Sequence, residues 1–276
     1  MDRLAALLRH FHLNARVFNT GPLCGAASYH GGEGGGYIHI LKRGSLTLES
    51  ADAGDIIIDR PSLMFFMEPG GHRLIPGEAG AETVCGTFTF GSAASNPLAR
   101  AMAHPIVIPL EELDSLAGTL ALLFEEAFND RCGRQAALDR LCELLIIQLY
   151  RYLMESGDLD VGLLAGLADP RLSKALIAIH EQPSANWTLV TLAARAGMSR
   201  ARFAVAFRDT LGQTPGAYLI QWRLCLAQAL LKEGKPTDHV ASTVGYSGSP
   251  ALAKAFRQQL GLSPSQWLKQ LPKTSS

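Results

Sequence analysis

Three side chains in the first third of the sequence, Cys24, His30 and Cys85, could carry chemistry. Cys24 and His30 lie six residues apart in the glycine-rich segment PLCGAASYHGG, which spans residues 22–32. A thiol and an imidazole can bind a transition metal, and an accessible thiol with a lowered pKa reacts with oxidants. Cys85 follows Val84 in a short β-branched run, so strand alternation directs these two side chains to opposite faces. A metal site, a redox sensor and an unreactive loop are the three hypotheses for this segment.

The cysteine usage and the chain start indicate the compartment. Five cysteines at irregular spacing favour free thiols in a reducing environment over a disulfide framework. The sequence has no run of about 18 apolar residues, the minimum for a membrane-spanning helix. Arg3, Arg9 and Arg16 interrupt the apolar positions that a signal peptide would need. We therefore expect a cytoplasmic protein without a membrane span.

Short strands must position these side chains. Runs of β-branched and aromatic residues at 37–41, 45–49, 55–58 and 84–90, with glycines between them, predict an all-β sandwich or barrel. Between residues 111 and 156 the apolar period becomes helical, with a break at 129–133, which predicts a helical hairpin. The two leucine stripes of this hairpin are Leu113, Leu116, Leu120 and Leu123, followed by Leu138, Leu141, Leu145, Leu149 and Leu153.

The charge is distributed unevenly along the chain. Residues 168–276 hold 13 lysines and arginines against 5 aspartates and glutamates, a net charge of +8, while residues 1–167 hold 12 against 20. A basic segment of this size favours a polyanionic partner. Three dipeptides in it, Asp169-Pro170, Thr214-Pro215 and Ser263-Pro264, place an N-cap residue before a proline that can begin a helix. The second part of the chain is therefore predicted to be all-helical.

A repeat within this basic part predicts two helix-turn-helix motifs. Residues 192–207 parallel residues 240–256: each segment has a short apolar helix, a turn with a glycine, and a second helix with large apolar residues four positions apart. The turn glycines are Gly197 and Gly245. Two copies in one basic domain argue against a plain helical bundle.

The residues of this part resemble the DNA-binding domain of the AraC/XylS family of transcription regulators. The resemblance covers about a hundred residues and is carried by Gly212, Pro215, Trp222, Arg223, the Val-Gly-Tyr of residues 244–246, and Gly261, Ser263 and Pro264. It implies a transcription regulator that binds double-stranded DNA, with RNA polymerase as a protein partner.

Helical spacing selects the side chains that would face the DNA. If Phe203 and Phe207 face the core, then Ala201, Ala204, Val205 and Arg208 point outward. The methyl groups of these alanines and of Val205 favour thymine-containing steps, whereas Lys254 and Arg257 of the second copy supply hydrogen bonds. Arg200 and Arg202 are predicted to grip phosphates. The outward positions of the second copy are Ser249, Pro250, Ala253, Lys254 and Arg257.

The front part more loosely resembles the cupin sensor domain of one subset of this family. The resemblance implies metal ligands at His30, Glu33 and His72, with His39 on a neighbouring strand, and a metal such as iron, nickel or zinc. Gly32 stands where a further histidine is expected, so the alternative is a barrel that binds a small ligand or nothing. Some regulators of this subset respond to oxidants through cysteines, which implies a sensor role for Cys24 and Cys85.

Together these patterns predict an α+β chain with a cupin-like β-barrel followed by an all-α domain. The expected division is a sensor domain at 1–110, a hairpin and possible dimer interface at 111–156, a linker at 157–168 and a DNA-binding domain at 169–276. The predicted function is a homodimeric, sequence-specific DNA-binding regulator controlled by a small ligand or by thiol oxidation. A metal-dependent cupin enzyme and a constitutive DNA-binding protein are the alternatives.

Overall fold

The computed structural model describes residues 2–30, 35–50, 54–67, 71–91, 105–157 and 161–271. The chain divides into two compact units. The sheet unit is His12–Leu159, and the helical unit combines Met1–Phe11 with Asp160–Ser276. Among the helices of the described ranges, none has the length and apolar character that crossing a membrane requires.

The sheet unit is organised around two long antiparallel strands that pair along most of their length. The runs predicted at 37–41 and 45–49 belong to one of them, because the register shifts between Leu41 and Leu46 bend the strand without ending it. The strands are β1 (Leu13–Pro22), β2 (Ala27–Tyr29), β3 (Gly35–Ser50), β4 (Gly54–Ile58), β5 (Ser62–Phe66), β6 (His72–Phe90) and β7 (Ile106–Pro109). All of their pairings are antiparallel.

The predicted barrel is not closed in the described residues. The hydrogen-bonded order runs β1-β6-β3-β5-β7, with β2 on β6 and β4 on β3, so β1 and β7 are the ends of an open path. Side chains of a following helix cover the edge of β1. Asp139 Oδ1 accepts from the Val17 amide at 2.8 Å, and Gln135 Nε2 donates to the Val17 carbonyl at 2.8 Å. At Val17, side chains of this helix thus take the place of a further strand beside β1.

A helical hairpin packs on the sheet, as the leucine periodicity predicts. Its helices are α2 (Ala117–Ala127) and α3 (Arg134–Ser156). The interruption of helical periodicity predicted at residues 129–133 lies between them. Four leucines of the second stripe are buried within this one chain: Leu138, Leu145, Leu149 and Leu153. Tyr150 between them contacts the rings of Phe65 and Phe90 at 6.0 and 5.7 Å. This stripe therefore covers the sheet rather than a second chain.

Two of the three helix starts predicted in the helical unit are confirmed, because Thr214 and Ser263 cap helices that begin at Pro215 and Pro264. The third is wrong: the helix begins at Leu172 rather than at Pro170. The Asp169 carboxylate instead caps the turn before it, accepting from the amides of Arg171 and Leu172 at 2.7 and 2.8 Å. The helices are α1 (Ala5–His10), α4 (Leu163–Ala168), α5 (Leu172–Glu181), α6 (Leu189–Arg195), α7 (Arg200–Leu211), α8 (Pro215–Lys232), α9 (Thr237–Thr243), α10 (Ser249–Leu260) and α11 (Pro264–Gln270).

Two segments lie elsewhere than the sequence predicts. Residues 2–11, expected in the sensor domain, pack in the helical unit, where Leu7 and Phe11 are buried. The expected linker contains α4, whose leucines are buried at positions 163, 164 and 167. The sequence gives no periodic signal for α4, because its residues are all apolar or glycine and it has no polar face. Such a helix is buried on all sides, unlike a surface helix with one solvated face.

Candidate nucleic-acid interface and sensor residues

The first helix pair of the helical unit is formed by α6 and α7. Thr188 caps α6 through a capping box with Thr191, and Ser199 Oγ accepts from the Arg202 amide to cap α7. Between the two helices Gly197 has a φ of +64°, a conformation that L side chains rarely adopt. The turn is therefore set by local residues that the sequence shows directly.

The second helix pair, α9 and α10, repeats this arrangement with a different cap. Gly245 has a φ of +89°, and Asp238 Oδ1 of α9 accepts from the Ser249 amide at 3.1 Å. Hydrogen bonds from Ser249 lower the pKa of the Asp238 carboxyl, which keeps this cap ionised. A carboxylate from the first helix thus caps the start of the second.

The second helix of each pair has a buried face and a basic outer face. Phe203 and Phe207 of α7 and Leu252 and Phe256 of α10 are fully buried, as the four-residue spacing predicts. On the opposite faces the structure exposes Arg200, Ala201, Arg202, Val205, Arg208, Pro250, Lys254 and Arg257, and it leaves Ala204, Ser249 and Ala253 half-buried. The predicted DNA-facing residues are therefore all at least partly accessible on these two helices.

Arg223 of α8 joins the second turn to the loop before α6. Its guanidinium donates to the Pro183 carbonyl at 2.7 Å and to the Ala185 carbonyl at 2.9 Å. The same group lies 5.8 Å from the centre of the Tyr246 ring, next to Gly245. Because one guanidinium contacts both the loop before α6 and the ring of Tyr246, α8 fixes the second turn relative to the first helix pair.

In the sheet unit, His39 of β3 and His72 of β6 form a buried pair. Their Nε2 atoms are 2.9 Å apart, so one imidazole donates a hydrogen bond to the other. Phe66 stacks on the His72 ring at 4.0 Å, and Tyr29 lies on it at 5.0 Å. Burial and the neighbouring His72 hold the pKa of His39 well below its ordinary value, which keeps its ring neutral.

The predicted metal ligands are only partly brought together. His39 and His72 meet, but His30 is exposed on the rim of a cavity, and Glu33 lies outside the described residues. Within the part of the chain that the structure describes, no group of three or more histidine, cysteine or carboxylate side chains could hold a metal. Two imidazoles alone do not complete the usual ligand set, and because Glu33 lies outside the described residues the metal site stays a prediction.

The two predicted sensor thiols differ in access. Cys24 is exposed, whereas Cys85 is buried opposite His39 in the β3–β6 register. Burial raises the pKa of the Cys85 thiol, which disfavours the reactive thiolate. The Leu23 amide donates to the carbonyl of Ala81, four residues before Cys85 on β6. At about 3.3 Å per residue, Ala81 lies about 13 Å from Cys85 along β6. Both cysteines are free thiols in the structure.

Comparisons with known proteins match both units. A model described as a cupin matches residues 2–155, and a model described as a helix-turn-helix domain matches residues 192–270. The HTH-type transcriptional regulator AlkR of Acinetobacter baylyi is 32% identical over 248 residues, which cover 85% of this chain and 80% of AlkR. A putative AraC-like transcription regulator of Streptomyces lividans is 32% identical over 188 residues, 67% of this chain. The chain belongs to the AraC-like transcription regulators.

Two of the matches to this AraC-like regulator are partial. The matched segment spans 62% of the S. lividans protein. The DNA-binding domain of AdpA, solved in complex with a target DNA, is 37% identical, with a TM-score of 0.34 over 36% of this chain and 89% of that one. The family resemblance predicted from Trp222, Arg223 and the closing Gly-x-Ser-Pro is thus confirmed.

Some residues of the regulator's candidate sites escape sequence reasoning. Arg223 supports the family resemblance, but its carbonyl partners at Pro183 and Ala185 lie about 40 residues away and give no local signal. Tyr29 follows the cysteine loop, and nothing in its surroundings indicates that its ring packs against both His39 and His72. A contact between distant segments leaves no periodic trace in the sequence.

Proposed function

We propose that this AraC-like regulator binds double-stranded DNA with both helix pairs acting as helix-turn-helix motifs, under the control of a signal received by the sheet unit. The observation that carries this proposal is the repeated geometry of α7 and α10. Each follows a glycine turn, buries a pair of large apolar residues and exposes a basic outer face. A recognition helix requires this combination, because its inner face must anchor it while its outer face enters a major groove.

The two recognition helices read DNA by different chemistry. Ala204 and Val205 border a groove of about 340 Å³ whose other walls include Leu189, Leu192 and Leu219. Ala204 and Val205 offer methyl groups that suit thymine, and Arg208, which lines the same groove, adds a guanidinium donor. On α10, Lys254 and Arg257 are exposed side by side and supply hydrogen-bond donors. We assign sequence preference mainly to α10.

Replacing Lys254 and Arg202 with alanine should separate specificity from affinity. Lys254→Ala removes a donor to base edges, so discrimination between target and random DNA should fall by about 1–3 kcal/mol. Arg202→Ala removes a phosphate contact, so all DNA should bind more weakly and the slope of log K against log salt should fall by about one. Titrations of labelled target and random duplexes at several salt concentrations measure both effects.

Lys174→Ala is the matched control, because Lys174 is an exposed lysine on α5, outside both helix pairs. It should leave the preference for target DNA unchanged. The opposite pattern, with Arg202→Ala eroding specificity and Lys254→Ala weakening all duplexes alike, would reverse the assignment of the two residues.

Two features of the sheet unit support a signal there. A cavity of about 360 Å³ opens beside His72 and is lined by Tyr29, His30, Asp55 and Arg73 among others, which suits a small polar ligand. Cys24 is the exposed thiol of the predicted sensor pair, so an oxidant reaches it before Cys85. We propose a small ligand in this cavity or oxidation of Cys24 as the signal.

Footprints on DNA flanking the gene of this protein, taken with reduced and oxidised protein, distinguish these signals. If Cys24 is the trigger, the oxidant should change the apparent Kd of the wild type by about fivefold or more. Cys24→Ser should abolish that change, whereas Cys132→Ser, which removes another exposed thiol, should retain it. An identical response of the wild type and Cys24→Ser would exclude the thiol trigger and favour the ligand.

The remaining partners follow from the DNA-binding proposal. A homodimer would place two pairs of recognition helices on two half-sites. The exposed Leu122 and Leu144 of the hairpin offer an apolar surface for it, unlike the buried stripe of α3. RNA polymerase is the protein partner that a transcription regulator at a promoter would contact. A cupin enzyme would need metal ligands beyond His39 and His72, and the relatives are named as transcription regulators.

A further inference from the structure

The groove beside α7 has walls that the DNA-binding proposal does not use. DNA would contact the wall that α7 provides, with Ala204, Val205 and Arg208. The other walls come from the starts of α6 and α8, where Leu189 and Leu219 lie. Leu219 is buried, whereas Leu189 and Val205 are 41% and 52% exposed. Apolar side chains from three helices therefore border an open space that is larger than contact with thymine methyls requires.

The size and polarity of this groove suit a small apolar molecule. Its volume of about 340 Å³ lies within the range of ligand pockets, about 300–1,000 Å³, which are lined mainly by apolar side chains. The hydroxyls that line it serve as helix caps. Thr188 Oγ1 accepts from the Thr191 amide at 3.2 Å, and Thr214 Oγ1 accepts from the Ala217 amide at 3.3 Å. Apolar contact with the walls would therefore supply most of the binding free energy of an occupant.

Arg208 gives the groove a positive charge. The lining residues that the structure describes include this guanidinium and no carboxylate. Arg208 is exposed, and it forms no ion pair with any residue of the described ranges. A guanidinium can bind a planar carboxylate through two parallel hydrogen bonds, and weakly polar surroundings strengthen the attraction. The groove therefore favours an apolar molecule that carries a carboxylate.

Trp187 lines the same groove and is held from two sides. Its indole nitrogen donates to the Gln182 carbonyl at 2.8 Å, and the Arg195 guanidinium lies 5.8 Å from the centre of the ring. A ring that is already fixed gives an occupant apolar surface without a further cost in side-chain entropy. Because an occupant would displace water from this half-buried ring, the emission of Trp187 should report binding.

We propose that the groove between α6, α7 and α8 is a binding site for a small apolar carboxylate that competes directly with DNA. The inference rests on the proposed DNA-binding function, because Ala204, Val205 and Arg208 cannot face a ligand and a major groove at once. Such a ligand acts on the first recognition helix itself and does not need the sheet unit. Since only the ligand-free fraction binds DNA, a ligand at ten times its own dissociation constant raises the apparent Kd for DNA by about tenfold.

Titration of the full-length protein with 4-phenylbutyrate tests the site. Without DNA, the acid should produce a saturable change in tryptophan emission that is absent in Trp187→Phe. The uncharged 4-phenylbutan-1-ol should bind about fivefold more weakly, because it cannot pair with Arg208. Arg208→Gln should bring the acid and the alcohol to similar affinities. With labelled target DNA, the acid should raise the apparent Kd of the wild type in proportion to its concentration.

Gly216→Leu and Gly216→Ala form the matched pair of variants. Gly216 is exposed on the groove near the start of α8, and a Cβ there meets nothing within 4 Å, so both substitutions fit. The leucine side chain would occupy the groove, so it should abolish both the emission change and the competition with DNA. The alanine should retain both. Binding of target DNA without the acid should be the same in the two variants and the wild type.

Several outcomes would overturn the proposed site. They are the absence of a saturable emission change, a change retained in Trp187→Phe or Gly216→Leu, and equal affinities of the wild type for the acid and the alcohol. An apparent Kd for DNA that does not respond to bound acid would overturn the competition. If the wild type without acid fails to bind target DNA, the proposed function fails, whereas the emission titration still decides the carboxylate site. The two failures are therefore distinguishable.

Discussion

Replacing Gly245 with alanine is expected to destabilise the helical unit by about 3 kcal/mol or more. The φ of +89° strains any residue with a Cβ. The added Cβ would also lie 2.6 Å from the Cα of Ser184 and 2.9 Å from a guanidinium nitrogen of Arg223. The Ser184 contact is with backbone, so relief requires the loop before α6 to move. Urea denaturation followed by circular dichroism measures the loss.

Gly197→Ala is the internal control, because the first turn has the same backbone requirement without the crowding. Its φ is +64°, and a Cβ there meets nothing within 4 Å. Gly197→Ala should therefore lower the free energy of unfolding only by the cost of the left-handed conformation, about 1–2 kcal/mol. Equal losses in the two variants would show that crowding against Ser184 contributes nothing. The same pair of proteins should also differ in DNA binding, since displacement of Arg223 frees the second turn from Pro183 and Ala185.

The second large effect is expected at Trp222, where alanine should reduce the free energy of unfolding by about 3–5 kcal/mol. The side chain is fully buried and lies against His10, Phe11 and His180. Its removal leaves a cavity at the meeting point of α1, α5 and α8, and the backbone of three helices cannot close it. Urea denaturation measures the loss of stability, and target-DNA titration should show a parallel loss of binding.

Trp187→Ala is the control that shows whether the stability loss of Trp222→Ala is specific to position 222 or follows the removal of any tryptophan. Trp187 is half-buried, and its indole donates to the Gln182 carbonyl at 2.8 Å. Its replacement should cost about 1 kcal/mol. Trp222→Phe should retain part of the stability because a ring still fills the site. A Trp187→Ala loss as large as that of Trp222→Ala would contradict the central place of Trp222 in the core.

Local signals explain why the helix pairs were predictable. Gly197 and Gly245 mark turns that need a positive φ, and Thr214 and Ser263 cap helices within three residues of their own position. The outward positions on α7 and α10 followed from the spacing of buried phenylalanines and leucines along a single helix. Each of these features depends on residues adjacent in the chain, so the sequence contains the information.

Features that join distant segments were not predictable in the same way. The docking of α1 depends on Trp222, more than 200 positions later, and no pattern in residues 2–11 points to it. The open edge of β1 is completed by Asp139 and Gln135, which a prediction of strands alone cannot supply. Of the metal ligands that the family resemblance implied, the described residues bring His39 and His72 together, and their contact joins two strands rather than neighbours in the chain.

The two-part origin of the helical unit has a consequence during synthesis on the ribosome. Phe11 emerges first, but its partners Trp222 and His180 follow only after the entire sheet unit has been made. At about 5–20 residues per second this delay lasts on the order of ten seconds or more. During that time Phe11 lacks the aromatic partners that bury it in the folded unit. Final closure of the DNA-binding core must wait for the last third of the chain, and a truncated translation product could not complete it.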